Sequence, residues 1–524
     1  MIRLNLRLKR WFIVIWSLSL WLFLAVFPPA YENYYPTPAD REAFLLGMLQ
    51  NSGMTAMWGP LEPPASLGQI VMWEAGSVLM VLGSVMSVLL MVSLHRREEG
   101  QGQTELRLST GIGRMAPVTA ALATTILASL LVGAGSAAIL WASGSYVAEM
   151  PVEGAMISGT VIALSMIGSA LLAQLILLFI RNPAHVTRAA LASIAASFMV
   201  RARADSEEIG WLNWGSPLGW KSVVQPYVRD DWGAVAGIVG VCLILAATVL
   251  VADRYREYGR ALFSFPHPGR LRRRHVRGAV HLAVELNRGT VLTWVLVITG
   301  LTAFFIALTG SLSGWMEAEA NIGRVFKEIF DSGDMKTEFI AYVTKIGGIL
   351  VATMGVQTII GYRSGELDRT VDVQRATGVR RFIPLGSVGM VAWGAVTAGT
   401  LGILAGGGLG LWSQESTAAA DYDNLLPAAL SQLAPALLLT SLAIALIGCL
   451  PRFFQGAWAP VIASAVLTLF GPVLDAPQWL IELSPFEYVV TSGDGSWPVH
   501  LWMAFAALVL SGVGLVGAQR REIR

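Results

Sequence analysis

Charge is scarce in this chain. Only 14% of its 524 residues are Asp, Glu, Lys or Arg, while 54% are hydrophobic. Soluble domains carry roughly 25% charged residues, so an ordinary water-soluble globule is excluded. Cysteine is nearly absent too. Cys242 and Cys449 both fall in apolar runs, which argues against a disulfide framework or a cysteine metal cluster. The six histidines form no H-E-x-x-H pair, and no Ser/His/Asp hydrolase constellation is readable. The most telling absence is the G-x-x-x-x-G-K-[ST] phosphate loop, which occurs nowhere. If ATP drives this protein, another chain binds it. Five lysines stand against 32 arginines, which, with the Ala and Gly content, points to a GC-rich bacterial genome.

What is present is a series of apolar runs of about 20 residues, the length that crosses a hydrocarbon core as a helix. About twelve spans are predicted: 11–30, 68–94, 115–141, 153–180, 184–203, 233–252, 290–312, 339–362, 383–410, 426–450, 454–472 and 500–518. The fifth and eleventh are the weakest. Residues 11–30 read as a retained first span, because the run is long and lacks a small-x-small cleavage site. With the N-terminus inside, 28 of the 37 Lys and Arg residues fall in inside segments and 8 in outside ones. That bias places both termini in the cytoplasm.

One pattern is written twice. Arg96, Glu99, Glu105, Thr110-Gly111, Arg114 and Pro117 recur 267 residues later as Arg363, Glu366, Asp372, Thr377-Gly378, Arg381 and Pro384. Trp211-Leu212 and Ser216-Pro217 recur at an offset of 268 as Trp479-Leu480 and Ser484-Pro485. Leu4, Leu8, Arg10 and Trp16 match Leu282, Leu286, Arg288 and Trp294 at 278. The chain is therefore read as two six-span halves, 1–253 and 278–524, joined by a basic linker, 254–277. An even span number per half makes them parallel repeats about an axis along the membrane normal. A pathway is expected at their interface.

The loops after the second and eighth spans are the candidate handles. Gly100 and Gly102 break the first, Gln103–Ser109 can form a short helix, and Gly111 suits a left-handed C-cap. In the second, Ser364 is expected to cap a helix running to about Ala376. Acids held in register with arginines are expected to pair with a soluble partner. Segments 1–10 and 279–288 are expected to lie as amphipathic elbows. WLNWGSPLGW (211–220) and WLIELSPFEY (479–488) read as paired outer hairpins, their aromatics at headgroup level. Glu74 lies at membrane depth, where a carboxylate is costly. Its position close to the outer end of the span favours a satisfied interfacial carboxylate over a functional site. The basic run 270–277 reads as a lipid and topology signal rather than a nucleic-acid site. The glycine run 406–410 reads as a close-packing surface.

The loop RREEGQGQTELRLSTGIGR, WLNWGSPLGW, WLIELSPF and the closing QRREIR resemble the membrane subunits of bacterial ABC exporters, of the actinobacterial polyketide-antibiotic and multidrug kind. The resemblance covers essentially the whole chain and implies an all-α, type-2 exporter fold. It implies two copies of a separate ABC ATPase subunit, with ATP and Mg bound there and no cofactor or metal in this chain. Arg96, Glu99, Glu105, Arg114, Arg363, Glu366, Asp372 and Arg381 would couple to that subunit. Trp211, Pro217, Trp479, Pro485 and Phe486 would form the outer gate. Trp16, Trp73, Glu74, Trp294 and Phe339 are candidates for the path of a small amphipathic substrate. A proton-coupled transporter of the major-facilitator kind is the alternative, but its G-x-x-x-D-[RK]-x-G-[RK] loop is missing. A membrane enzyme would need a polar cluster within the spans.

Overall fold

The computed structural model describes residues 1–49, 52–100, 102–147, 149–180, 183–257, 262, 276–318, 335–414, 419–471, 477–491 and 497–521. The described residues form helices and no strand. Most of the basic run 270–277 and the last three residues of QRREIR lie outside the described residues.

The chain divides into two units, Met1–Arg270 and Leu271–Arg524. The first holds α1 (Ile2–Tyr34), α2 (Leu67–Leu94), α3 (Ala116–Ser143), α4 (Val152–Leu177), α5 (Pro183–Ser206) and α6 (Trp232–Tyr255). The second holds α7 (Ala279–Ala318), α8 (Met335–Leu367), α9 (Ile383–Trp412), α10 (Ala419–Cys449), α11 (Trp458–Phe470) and α12 (Trp497–Arg520). Ten of these are long and apolar enough to cross a membrane.

The two exceptions are the fifth and eleventh elements, the weakest of the twelve expected spans. α5 has the length, at 24 residues, but carries Arg188, Arg201, Arg203 and Asp205. α11 has the hydropathy but only 13 residues, a rise of ~20 Å that falls short of a ~30 Å hydrocarbon core. One correction concerns the elbows. Residues 2–10 and 279–288 are the opening turns of the continuous helices α1 and α7, not separate segments.

Within the first unit α4 is the most enclosed helix. Its apolar window is 78% buried, against 28% for α1 and α6, so α4 forms the centre on which the others pack. Small residues set the distances. A Cβ on Gly133 of α3 would meet the carbonyl oxygen of Gly159 of α4 at 2.4 Å, and the reverse holds equally. In the second unit Gly406 of α9 lies against the Thr299 carbonyl of α7, where a Cβ would stand 2.3 Å away. The glycine run is thus the close-packing surface its composition suggested. The second core gathers Met354, Val396, Ile403, Ile444 and Phe486.

Replacing Gly159 with Leu should force α3 and α4 apart, at a cost of about 1–3 kcal/mol or more. The check is thermal unfolding in detergent, where Gly159→Leu loses stability. Gly394→Leu, which meets nothing within 4 Å, should leave the transition in place. Equal behaviour of the two variants would contradict the packing argument.

Candidate functional site

The loop between α2 and α3 is two short helices around two left-handed glycines. Arg96–Gly100 continues from the end of α2, and Gly102 turns the chain at φ +72°. Gln103–Leu108 follows, and Gly111 closes it at φ +83° with its N–H on the Leu108 carbonyl. Pro117 sits in the first turn of α3, where its missing N–H costs nothing.

Glu99 is the knot of this loop. It accepts from Arg96 at 2.8 Å and, bidentately, from Arg256 at 2.7 and 2.8 Å. Arg256 is the residue immediately after α6. It also meets Asp253 at 3.0 Å, and its own carbonyl accepts from Arg114. Arg96 donates to the Ile180 carbonyl just beyond α4. One carboxylate therefore joins the ends of α2, α4 and α6. Beside it His95 lies 2.7 Å from Gln174 and 3.7 Å from Asp253, and Arg107 grips Glu98 at 2.6 and 2.9 Å.

The second unit repeats this arrangement with different residues in the supporting places. Glu366 accepts from Arg363 and Arg375, both at 2.9 Å, and from Arg521 just past the end of α12. Tyr362, which stands where the first unit has His95, donates to Glu366 at 2.9 Å. Arg521 reaches the Ile447 carbonyl at 2.9 Å. Ile180 and Ile447 keep the 267-residue register, so equivalent carbonyls are capped by different arginines.

The local backbone is equivalent too, with one substitution of kind. The short helix is Thr370–Arg375, in register with Gln103–Leu108, and Gly378 has φ +81°. The left-handed position filled by Gly102 is held here by Arg369 at φ +59°. The expected Ser364 cap is not made. Ser364 lies inside α8, which runs on to Leu367, because nothing before Arg369 interrupts the helix.

Electrostatics follow from burial. Burial pushes the Arg96 guanidinium below its ordinary range despite Glu99 beside it. Burial acts the same way on Arg256, but Glu99 and then Asp253 outweigh it, and its pKa is raised.

Glu99 and Glu366 are sealed inside the protein, with side-chain exposures of 6% and 3%. This corrects the expectation that they pair with a soluble partner; a buried carboxylate holding two or three arginines has no face left to offer. The exposed face is carried by other residues. Leu106 and Val373, equivalent positions, are each 72% exposed. Glu105 and Asp372 beside them are exposed, as are Arg114 and Arg381, while Thr104 and Val371 point inward. Arg256 and Arg521 were missed by sequence reasoning. Their signal was the 265-residue offset from Trp232 to Trp497 and from Arg256 to Arg521.

At the opposite end of the first unit, residues 210–224 form 3-10 turns and a short helix. Ser216 anchors them, its hydroxyl on the Ser197 carbonyl at 2.7 Å, as Ser484 meets the Ser464 carbonyl at 3.3 Å. Pro217 and Phe486 are buried, Pro485 is half-buried, and Trp211 and Trp479 project outward. Lys221 is buried among the Trp58 and Trp73 carbonyls, at 2.8 and 2.9 Å. Burial holds its ammonium well below the ordinary range.

The substrate-path candidates make the following contacts. Trp16 is half-buried against Phe12. Trp73 donates to the Gly59 carbonyl at 2.7 Å, and Glu74 accepts from Tyr31. Trp294 donates to Gln357 at 2.6 Å, and Phe339 packs on Ile306, Ile340 and Leu425.

Residues 276–518 match the family model described as the C-terminal domain of multidrug efflux system permease Rv1217c. The whole chain is 26% identical to the multidrug efflux system permease protein Rv1217c of Mycobacterium tuberculosis, over 95% of that protein's length. This chain resembles a multidrug-exporter permease from end to end. The resemblance drawn from the loop and hairpin motifs is borne out at that level.

Removing one partner of a buried ion pair leaves the other charge uncompensated, a loss of about 3–5 kcal/mol. Arg256→Ala and Arg521→Ala should each lower the unfolding temperature in detergent. Glu99→Ala with Arg256→Ala should cost less than the two single losses added. Simple additivity would show that the residues do not act as a pair.

Proposed function

We propose that this chain is the permease subunit of an ATP-driven exporter that moves amphipathic small molecules out of a bacterial cell. ATP is hydrolysed on a separate subunit, of which two copies bind, one at each loop. The observation that carries this reading is the repeated loop: a buried glutamate clasped to the last helix of its unit, beneath an exposed apolar side chain at the same register position. A solvated connector has no need of either feature, let alone twice. The likeness to a protein named as a multidrug efflux permease supports the cargo class.

In this reading Leu106 and Val373 are knobs for equivalent apolar sockets on the ATPase, with Glu105 and Asp372 at the rim. Force applied there reaches α2 and α6 through Glu99, and α8 and α12 through Glu366. α5 and α11, with the hairpins that follow them, complete two six-element repeats, parallel about the membrane normal. The termini face the cytoplasm, in keeping with the Lys/Arg bias, and the membrane is the cell's plasma membrane.

Leu106→Asp combined with Val373→Asp should abolish copurification of the ATPase from membranes, and with it vanadate-sensitive hydrolysis. The permease itself should stay monodisperse, because both side chains point away from its core. Full ATPase recovery with the double variant would contradict the docking assignment.

A further inference from the structure

Charged groups within the apolar helices mostly meet an opposite charge. Asp253 meets Arg256 at 3.0 Å, and Lys336 meets Asp421 at 2.6 Å. Glu74 differs. Among the described residues it pairs with no Lys, Arg or His, and its carboxylate accepts a hydrogen bond from the neutral hydroxyl of Tyr31. It lies seven residues into α2, ~10 Å along the helix from its start. A carboxylate kept at membrane depth without a counter-charge is a candidate functional group.

The backbone around it is unusual. Residues Met72–Gly76 form a π-helical turn within α2, a local widening found frequently at functional sites. Aromatic rings line the same region. Tyr31 lies 5.7 Å from Phe27 and 6.1 Å from Tyr35; Tyr35 lies 4.9 Å from Phe44, which meets Trp73 edge-on at 5.8 Å. Tyr31 and Trp73 are buried, and Glu74 is half-buried. The equivalent positions of the second unit are Ile340 and Ala341, so this arrangement occurs in the first unit alone.

We propose that Glu74 and the aromatic wall beside it bind the cationic group of an amphipathic substrate, a protonated amine or an onium ion carried on an apolar body. The carboxylate supplies the full opposite charge, and the ring faces attract a cation through their quadrupoles. A neutral amphiphile uses only the rings and has no need of the acid. This inference rests on the permease reading and names one substrate class for it.

The test is equilibrium binding of tetraphenylphosphonium, a permanent cation, and of Nile red, a neutral amphiphile, to the purified full chain in lipid nanodiscs. Glu74→Gln should weaken tetraphenylphosphonium binding about tenfold or more and leave Nile red unchanged. Tyr31→Phe keeps the ring and frees the carboxylate, so cation binding should persist. Cation binding that is absent from the wild type, insensitive to Glu74→Gln, or lost together with Nile red binding would overturn the site. Energy-dependent efflux of Nile red from cells reports on the permease reading separately. Efflux that persists while cation binding ignores Glu74 removes the site alone; no efflux of either probe removes the permease reading as well.

Discussion

Each unit depends on a buried carboxylate that cannot stand alone. Taking Glu99 or Glu366 out of water costs several kcal/mol, and only well-aimed, hydrogen-bonded opposite charges offset that. The offset comes from an arginine one turn earlier on the same helix, Arg96 or Arg363, and from arginines on other elements: Arg256 in one unit, Arg375 and Arg521 in the other. The penalty for separation makes the assembly cooperative. The end of α2 cannot drift from the end of α6 without exposing an unpaired charge to a low-dielectric interior.

That constraint holds the loop in place, as its proposed role as a handle requires. Its two short helices are turned by Gly102 and Gly111 and stitched below by the clasp, which leaves Leu106 as the projecting group. The second unit reaches the same geometry by another route. Arg369 takes the left-handed turn, Tyr362 replaces His95, and Arg521 rather than Arg96 caps the equivalent isoleucine carbonyl. Conserved geometry from different residues indicates that the arrangement, rather than any one contact, is what the two halves share. The departure at Glu74 has the opposite character: the first unit carries an acid and a π-turn where the second has Ile340 and Ala341 in an uninterrupted helix.

Much of the helical layout was legible because apolar length and glycine placement are local signals. Gly102, Gly111 and Pro117 announced the loop's turns and the start of α3. The inward fate of Glu99 was not legible. A glutamate in a charged loop reads the same whether it faces water or an arginine about 157 residues away, and only the fold brings Arg256 to it. Ser364 misled for a related reason: a residue type suited to capping does not cap when the preceding helix meets no breaker before Arg369. The fifth and eleventh elements were the weakest spans in the sequence because of the arginines in one and the short apolar run of the other, and these two are the ones that fall outside the ten long apolar helices.

The central claim is that the clasp makes each loop move as one body with the last helix of its unit. Pulsed electron resonance tests it directly. Spin labels would be placed at Thr110→Cys and Tyr255→Cys, with Cys242 and Cys449 replaced, in the chain assembled with the proposed ATPase subunit. The account predicts a narrow distance distribution that is unchanged between nucleotide-free and vanadate-trapped states, and the same for Thr377→Cys with Arg520→Cys. A distance that shifts or broadens on trapping would show the loop moving independently of the helix and would contradict the account.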